Sequence, residues 1–240
     1  MHDLLTKGID ENGNIRSEET HEFKDSPLGR IPVEWNIFSL ESISSGITSG
    51  SRGWAKFYSD DGAVFIRIGN LTREHINLRF EEIKFVQPPQ SMEGKRTSVQ
   101  PGDLLISITA DLGIIGVVSK YLFEAYVNQH IALVRLDSKR NNPRFIGHYL
   151  ASRDGQRQFE KFNESGAKAG LNLPTVGSLE IPTSSHSEQH RICEILDSID
   201  HQISEGWSKL EKLNRVKTGL MQDLLTGKVR VTELLKDIDR

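Results

Sequence analysis

Ser185-His186-Ser187-Glu188-Gln189-His190-Arg191-Ile192 opens a run in which Ile192, Ile195, Leu196, Ile199, Ile203, Trp207, Leu210, Leu213, Leu220 and Leu224 recur, most of them three or four residues apart, until Gly227. That spacing gathers the apolar side chains on one stripe of a helix. Ser185 and Glu188 stand at capping-box spacing, and Gly227 is a good terminator. About 41 helical residues at 1.5 Å rise make a rod of roughly 60 Å. A helix of that length with one apolar stripe buries it against another helix. No second helix of similar length is legible in the chain. The stripe is therefore expected to pair with a partner chain as an antiparallel coiled coil, with packing on its own domain as the competing reading. Gly206 and Gly219 interrupt the run, either as close-crossing points or as tolerated breaks costing about 1 kcal/mol each.

The end of this pattern has an echo. Met1-His2-Asp3-Leu4-Leu5-Thr6-Lys7-Gly8 aligns with Met221-Gln222-Asp223-Leu224-Leu225-Thr226-Gly227-Lys228. Met, Asp, Leu, Leu and Thr match in register, and the Lys and Gly are exchanged. The chain starts like the tail of its own last element, which points to one unit of a two-unit architecture; chance recurrence of a short Leu-rich segment is the alternative.

Upstream of the helix the grammar changes. Residues 9–30 are polar, acidic and punctuated by Gly and Pro, which reads as a linker or edge segment. Ile31-Pro32-Val33-Glu34-Trp35 opens a folded block. Val64-Phe65-Ile66-Arg67-Ile68, Leu104 to Thr109, Ile114 to Val118 and Ile131 to Leu136 are short apolar runs bounded by Gly, Pro and Asp, the signature of strands with hairpins between the closer pairs. Asn142-Pro143 starts a helical segment as N-cap and first turn, with Phe145, Tyr149, Phe159 and Phe162 facing the core. The expected class is α+β. It comprises an N-terminal helix remnant and linker (1–30), a mixed β-rich globular domain (31–182), the long helix (183–227) and a tail (228–240).

Composition sets the outer bounds. With 240 residues there is ample length for a core, and no apolar run approaches the length of a membrane span. Cys193 is the sole cysteine, so neither a disulfide nor a cysteine metal cluster is expected, and the cytosol is the expected compartment. The net charge of −3 is uneven: residues 44–182 carry a small basic surplus, which permits phosphate binding without requiring it.

No catalytic or metal site is expected. There is no Gly-rich phosphate loop and no strand-to-helix G-x-G-x-x-G. Gln87-Pro88-Pro89-Gln90 lacks the leading Asn or Asp and the trailing aromatic of the amino-methyltransferase tetrapeptide. His186 and His190 share a helical face but lack a completing ligand. Asp103 reads as a turn residue, and Glu81-Glu82 as exposed loop charge.

Gly102-Asp103-Leu104-Leu105-Ile106-Ser107, Asn128-Gln129-His130-Ile131, the Ile31–Trp35 segment and the helix from Glu188-Gln189-His190 to Thr226-Gly227-Lys228 together resemble the specificity subunits of type I restriction–modification systems. One departure is Pro182-Thr183-Ser184-Ser185, where family members place a Pro-Pro pair before the Glu-Gln. The resemblance implies one target-recognition domain and one conserved spacer helix, half of a two-domain subunit. It implies binding to double-stranded DNA without catalysis. Methyltransferase subunits, and restriction subunits through the complex, would be partners and would hold S-adenosylmethionine, ATP and Mg²⁺; this chain would hold no cofactor. A homodimer through the long helix is expected. Base reading falls to polar loops: Thr48, Ser49, Ser51 and Arg52 in the Gly46–Gly53 segment; Arg67 and Asn70 at a strand end; Thr109 and Asp111; Asn128 and Gln129; Lys168 and Asn172. Two other assignments compete: a specificity component of a type IIB or IIG-like restriction system, and a coiled-coil protein-interaction module that does not bind DNA.

Overall fold

The structure, a computed structural model, describes residues 1–50, 52–89, 92–164 and 170–229. Ser51 and Lys168, both expected at the reading surface, lie outside the described residues, as does most of the 228–240 tail. In chain order the elements are α1 (His2–Thr6), β1 (Phe23–Lys24), β2 (Ile31–Pro32), β3 (Asn36–Ser39), β4 (Ser44–Ser49), β5 (Tyr58–Ser59), β6 (Ala63–Ile66), β7 (Phe85–Val86), α2 (Met92–Thr97), β8 (Leu104–Ser107), β9 (Ile115–Val117), β10 (Ala125–Val127), β11 (Ile131–Leu136), α3 (Pro143–Ala151), α4 (Arg153–Glu164), α5 (Leu173–Gly177), β12 (Glu180–Thr183) and α6 (His186–Leu225). The chain divides into two compact units, Met1–Glu194 and a second that begins at Ile195 within α6.

The first unit is built on two four-stranded sheets, ordered β10-β6-β7-β5 and β4-β11-β8-β9. In the first of these, β6 runs parallel to β10, with Val127 opposite Ile66. A parallel pair is usually covered on both faces, and side chains alternate along a strand. Accordingly, Val64 and Ile66 enter one apolar cluster with Leu105, Val127 and Leu133, while Ala63 and Phe65 enter an aromatic one around Trp54. Trp54 stacks on Phe65 with centroids 5.8 Å apart and tilts against Tyr126 at 5.4 Å. The second sheet is antiparallel, with β11 at its centre between β4 and β8. The β8–β9 hairpin forms as the sequence predicts.

The 142–164 segment divides into two helices. Asn142 accepts the Arg144 N–H at 2.9 Å and Pro143 occupies the first turn, so the cap is as predicted. Phe145, Tyr149 and Phe159 are buried. Burial, with the nearby Asp154 carboxylate second, holds the Tyr149 phenol well above its ordinary range. Asp103 is more than a turn residue: it is 2 % exposed and receives Arg135 at 2.7 Å, which in turn holds the Arg135 guanidinium above its usual value.

The N-terminal segment is not a free linker. Leu4, Leu5 and Ile9 are buried in the first unit. The Glu188 carboxylate receives the Ile9 N–H (3.0 Å), the Arg16 guanidinium (2.5 Å) and the Trp35 indole N–H (3.3 Å). Its own backbone N–H donates to Ser185 Oγ at 3.2 Å, so Ser185 caps the helix while the Glu188 side chain turns into the core. Gln189, 1 % exposed, donates to the Ser184 carbonyl and accepts the Asn142 N–H at 2.8 Å. The Glu-Gln pair thus joins the start of α6 to four distant points of its own unit, at Ile9, Arg16, Trp35 and Asn142.

The echo is structural too. Thr6 Oγ1 donates to the His2 carbonyl at 2.9 Å, and Thr226 Oγ1 to the Gln222 carbonyl at 2.7 Å. Lys7 Nζ lies 3.1 Å from Asp3, and Lys228 Nζ 3.2 Å from Asp223. Gly8 and Gly227 both take a left-handed φ, at 66° and 71°. Both copies are the same kind of helix end, but Leu5 is fully buried whereas Leu225 is 82 % exposed.

Within α6 the apolar stripe is not uniform. Ile192 and Leu196, counted above among the residues that pair with a partner, are buried within the chain itself at 0 % and 4 % exposure, so they are unavailable to one. Cys193 is likewise buried. From Ile195 and Ile199 through Ile203, Trp207, Leu210, Leu213, Leu220 and Leu224 the stripe is exposed, with Trp207 at 66 %.

Candidate functional site

Antiparallel pairing puts the start of β11 beside the ends of β4 and β8: Ala132 sits between Ser49 and Ile106, and Ile131 opposite Ser107. The segments that leave those strands meet at one rim. The Gly50 N–H donates to the Ile131 carbonyl (3.2 Å), Asn128 to Ile66 (3.0 Å), Ile108 to His130 (3.0 Å) and Leu171 to Ile108 (2.9 Å). Loops far apart in sequence are thereby stitched by backbone bonds. The approach at Gly50 is so close that a Cβ there would lie 2.0 Å from the Asn128 carbonyl oxygen, which only glycine permits.

Side chains extend the pattern. The Gln129 amide nitrogen donates to His130 Nε2 at 3.0 Å, so the His130 proton sits on Nδ1 and is donated to Thr109 Oγ1 at 2.7 Å. That leaves the Thr109 hydroxyl proton directed elsewhere and the Gln129 carbonyl oxygen as an acceptor. Asn128 accepts the His130 N–H at 3.2 Å. The Thr109–Gly113 turn is held firmly: Ser107, fully buried, donates to the Asp111 carbonyl and accepts the Ile114 N–H. Arg73 clasps Asp111 at 2.5 Å and also donates to the Leu112 carbonyl and to Gln156. At the turn's tip Ala110 takes φ +58°, a conformation that costs an L-residue roughly 1–2 kcal/mol.

The structure therefore gathers Ser49, Thr109, Asp111, Asn128 and Gln129 at one rim, with Thr48 beside Ser49 on β4. Arg67 follows Ile66, next to Asn128, and donates to the Glu82 carbonyl at 3.3 Å. Arg52 is exposed just before Gly53, which begins the 3₁₀ turn Trp54–Phe57. Asn172 is exposed but caps α5, accepting from the Thr175 N–H at 2.8 Å.

Two expectations are corrected. The Gly46–Gly53 segment is not a loop throughout: Ser44–Ser49 is strand β4, because β11 supplies the pairing partners that its own small polar residues do not advertise. Asn70 is not a surface reader. It is 3 % exposed, its carbonyl accepts the Arg67 N–H (2.9 Å) and its amide donates to the Arg79 carbonyl (3.0 Å), so its bonding capacity is spent on a corner. Arg73 and Arg96 belong to the rim and were missing from the expected set. His130 carried a signal in the Asn128-Gln129-His130 motif, whereas nothing local joins Arg73 to Asp111.

The scaffold is thus an α+β one, a β-rich unit with a polar rim and a long helix whose apolar stripe is exposed from Ile199 to Leu224. The model of the family described as the type I restriction modification DNA specificity domain matches residues 32–215, and the chain belongs to that family. It is 24% identical over 238 residues to the type I restriction enzyme MjaVIII specificity subunit of Methanocaldococcus jannaschii, covering 98% of this chain and 53% of that protein. It is 23% identical over 194 residues to the EcoBI specificity subunit of Escherichia coli, covering 77% and 40%. The crystal structure of the HsdS subunit from Thermoanaerobacter tengcongensis shares the fold at a TM-score of 0.52 and 19% identity, over 86% of this chain and 48% of that one. A type I S subunit from M. genitalium does so at 0.54 and 14% identity, over 80% and 46%. The chain spans about half the length of the curated relatives it matches.

Proposed function

We propose that the chain is a non-catalytic DNA-specificity subunit whose rim reads one half of a bipartite site and whose α6 pairs with the α6 of a second copy. The observation that carries this reading is the convergence of the polar loops on one rim in a chain of the DNA specificity family. Small polar side chains and arginines on rigid, mutually bonded loops are what base-edge readout and phosphate positioning require. The exposed stripe of Ile199, Ile203, Trp207, Leu210 and Leu213 supports pairing, since a contiguous apolar face of this size is usually covered in a stable protein. Among the described residues no helix is long and apolar enough to cross a membrane. In this proposal methyltransferase subunits dock on the dimer, restriction subunits join through them, and S-adenosylmethionine, ATP and Mg²⁺ belong to those partners.

The test is duplex binding by the full chain across a salt series. Phosphate neutralisation makes binding weaken steeply with salt. A salt-dependent, sequence-selective shift supports the proposal, whereas no shift at any salt, with the dimer intact, favours a protein-interaction module instead.

A further inference from the structure

Arg96, in the last turn of α2, stands on the same rim and carries an arrangement that the fold alone does not need. It is solvent exposed, yet the next residue, Thr97, is fully buried, and Ser98 bridges to Tyr126 of β10. The Val99 N–H also donates to the Ala125 carbonyl at 3.0 Å, so the end of α2 is fixed to the sheet. From that base the Arg96 Nη1 donates to Thr48 Oγ1 and, at 2.6 Å, to the Ser49 carbonyl. Both acceptors are neutral. Arg16, Arg73 and Arg135, which fasten segments of this unit together, each end on a carboxylate. Among the described residues no carboxylate pairs with Arg96, and its Nε and Nη2 find no acceptor.

A guanidinium held by Nη1 presents its opposite edge, Nε and Nη2, as two parallel donors in a fixed orientation. In the major groove the matching pair of acceptors is O6 and N7 of guanine. Two phosphate oxygens fit the same edge, but the exposed Lys95 beside it already offers the backbone a charge that needs no clamp, which leaves the positioned edge of Arg96 for a base. We infer that Arg96 is a specificity-determining residue that reads one guanine of the half-site, with Thr48 and the Ser49 carbonyl as the groups that position it. This inference rests on the DNA-reading proposal above.

The experiment is selection from a randomised duplex library by the full chain, comparing wild type, Arg96→Ala and Arg96→Lys, with circular dichroism and urea midpoints as controls for folding. Wild type should enrich a half-site containing a guanine. Arg96→Ala should lose the preference at that one position by about tenfold or more while the other positions stay fixed. Arg96→Lys, which keeps the charge but not the two-donor edge, should not restore it. A uniform loss over all sequences that Lys restores would reassign Arg96 to phosphate and overturn the inference, as would unchanged selection by Arg96→Ala. If wild type enriches no sequence at all, the DNA-reading proposal itself falls, and this inference with it.

Discussion

Glu188 shows how much one side chain holds. Its carboxylate receives a backbone amide, an indole and a guanidinium from three segments, and its side chain is 10 % exposed opposite Arg16 at 11 %. Removing one partner of a buried ion pair leaves the other charge stranded, which costs about 3–5 kcal/mol. Glu188→Ala should therefore lower the stability of the first unit by that amount, read as a fall in the urea midpoint with unchanged slope. A midpoint within experimental error of wild type would show that water replaces the carboxylate. The contrast between Asn70 and Arg52 makes the same point at the rim. Asn70→Ala removes two partly buried hydrogen bonds of a buried side chain and should cost about 1–3 kcal/mol of folding stability while sparing base preference. Arg52→Ala should leave stability within about 0.5 kcal/mol. It should weaken specific binding by about 1–3 kcal/mol if the side chain grips a base edge. Equal midpoints for Asn70→Ala and wild type would return Asn70 to the surface. Nothing in the local sequence separates Asn70 from Asn128, since both follow the end of a strand. What buries one is the return of the chain through Arg79, a contact the local sequence does not announce.

At the scale of elements, legibility follows how local the determinants are. Strand β11 is readable as the continuous apolar run Ile131-Ala132-Leu133-Val134, and α6 through its helical periodicity, because each carries its own local signal. Strand β4 is Ser44-Ser45-Gly46-Ile47-Thr48-Ser49, with a single bulky apolar residue, and its pairing comes from β11 some ninety residues away. Ala125-Tyr126-Val127 is too short to advertise β10, although both of its faces are used. The α6 stripe was legible as a whole, but not its division, because Ile192 and Ile203 look alike until the surrounding segments fold. Exposure now tells them apart, at 0 % and 52 %. Replacing Ile203 and Leu210 with Asp should leave the fold of the first unit unchanged and convert a dimer into a monomer in light scattering at micromolar concentration. A monomeric wild type would remove the pairing from the proposal. Gly206 adds a sharper reading, since a Cβ there meets nothing within 4 Å in this chain. Gly206→Ala should stabilise an isolated helix by about 1 kcal/mol; if helices cross closely at Gly206, the same change should instead weaken the dimer.

For the whole molecule, the proposed dimer makes symmetry and length testable together. A two-fold pair presents identical rims in opposite directions, so its target should be an interrupted palindrome. Methylome sequencing of cells that carry the gene with a partner methyltransferase would report the motif, and unrelated halves would contradict the symmetry. If α6 sets the distance between rims, inserting seven residues near Leu210 keeps the stripe in phase and lengthens the rod by about 10.5 Å. DNA rises about 3.4 Å per base pair, so the unspecified gap should grow by at most about three pairs. Each added pair also rotates the groove, which favours a smaller increment or a loss of affinity over the full geometric one. The half-site sequences should stay fixed, because the rim is built from β4, β8, β11 and the loops that leave them, none of which the insertion touches. An unchanged gap at full activity would show that α6 clamps the dimer without measuring the distance between half-sites.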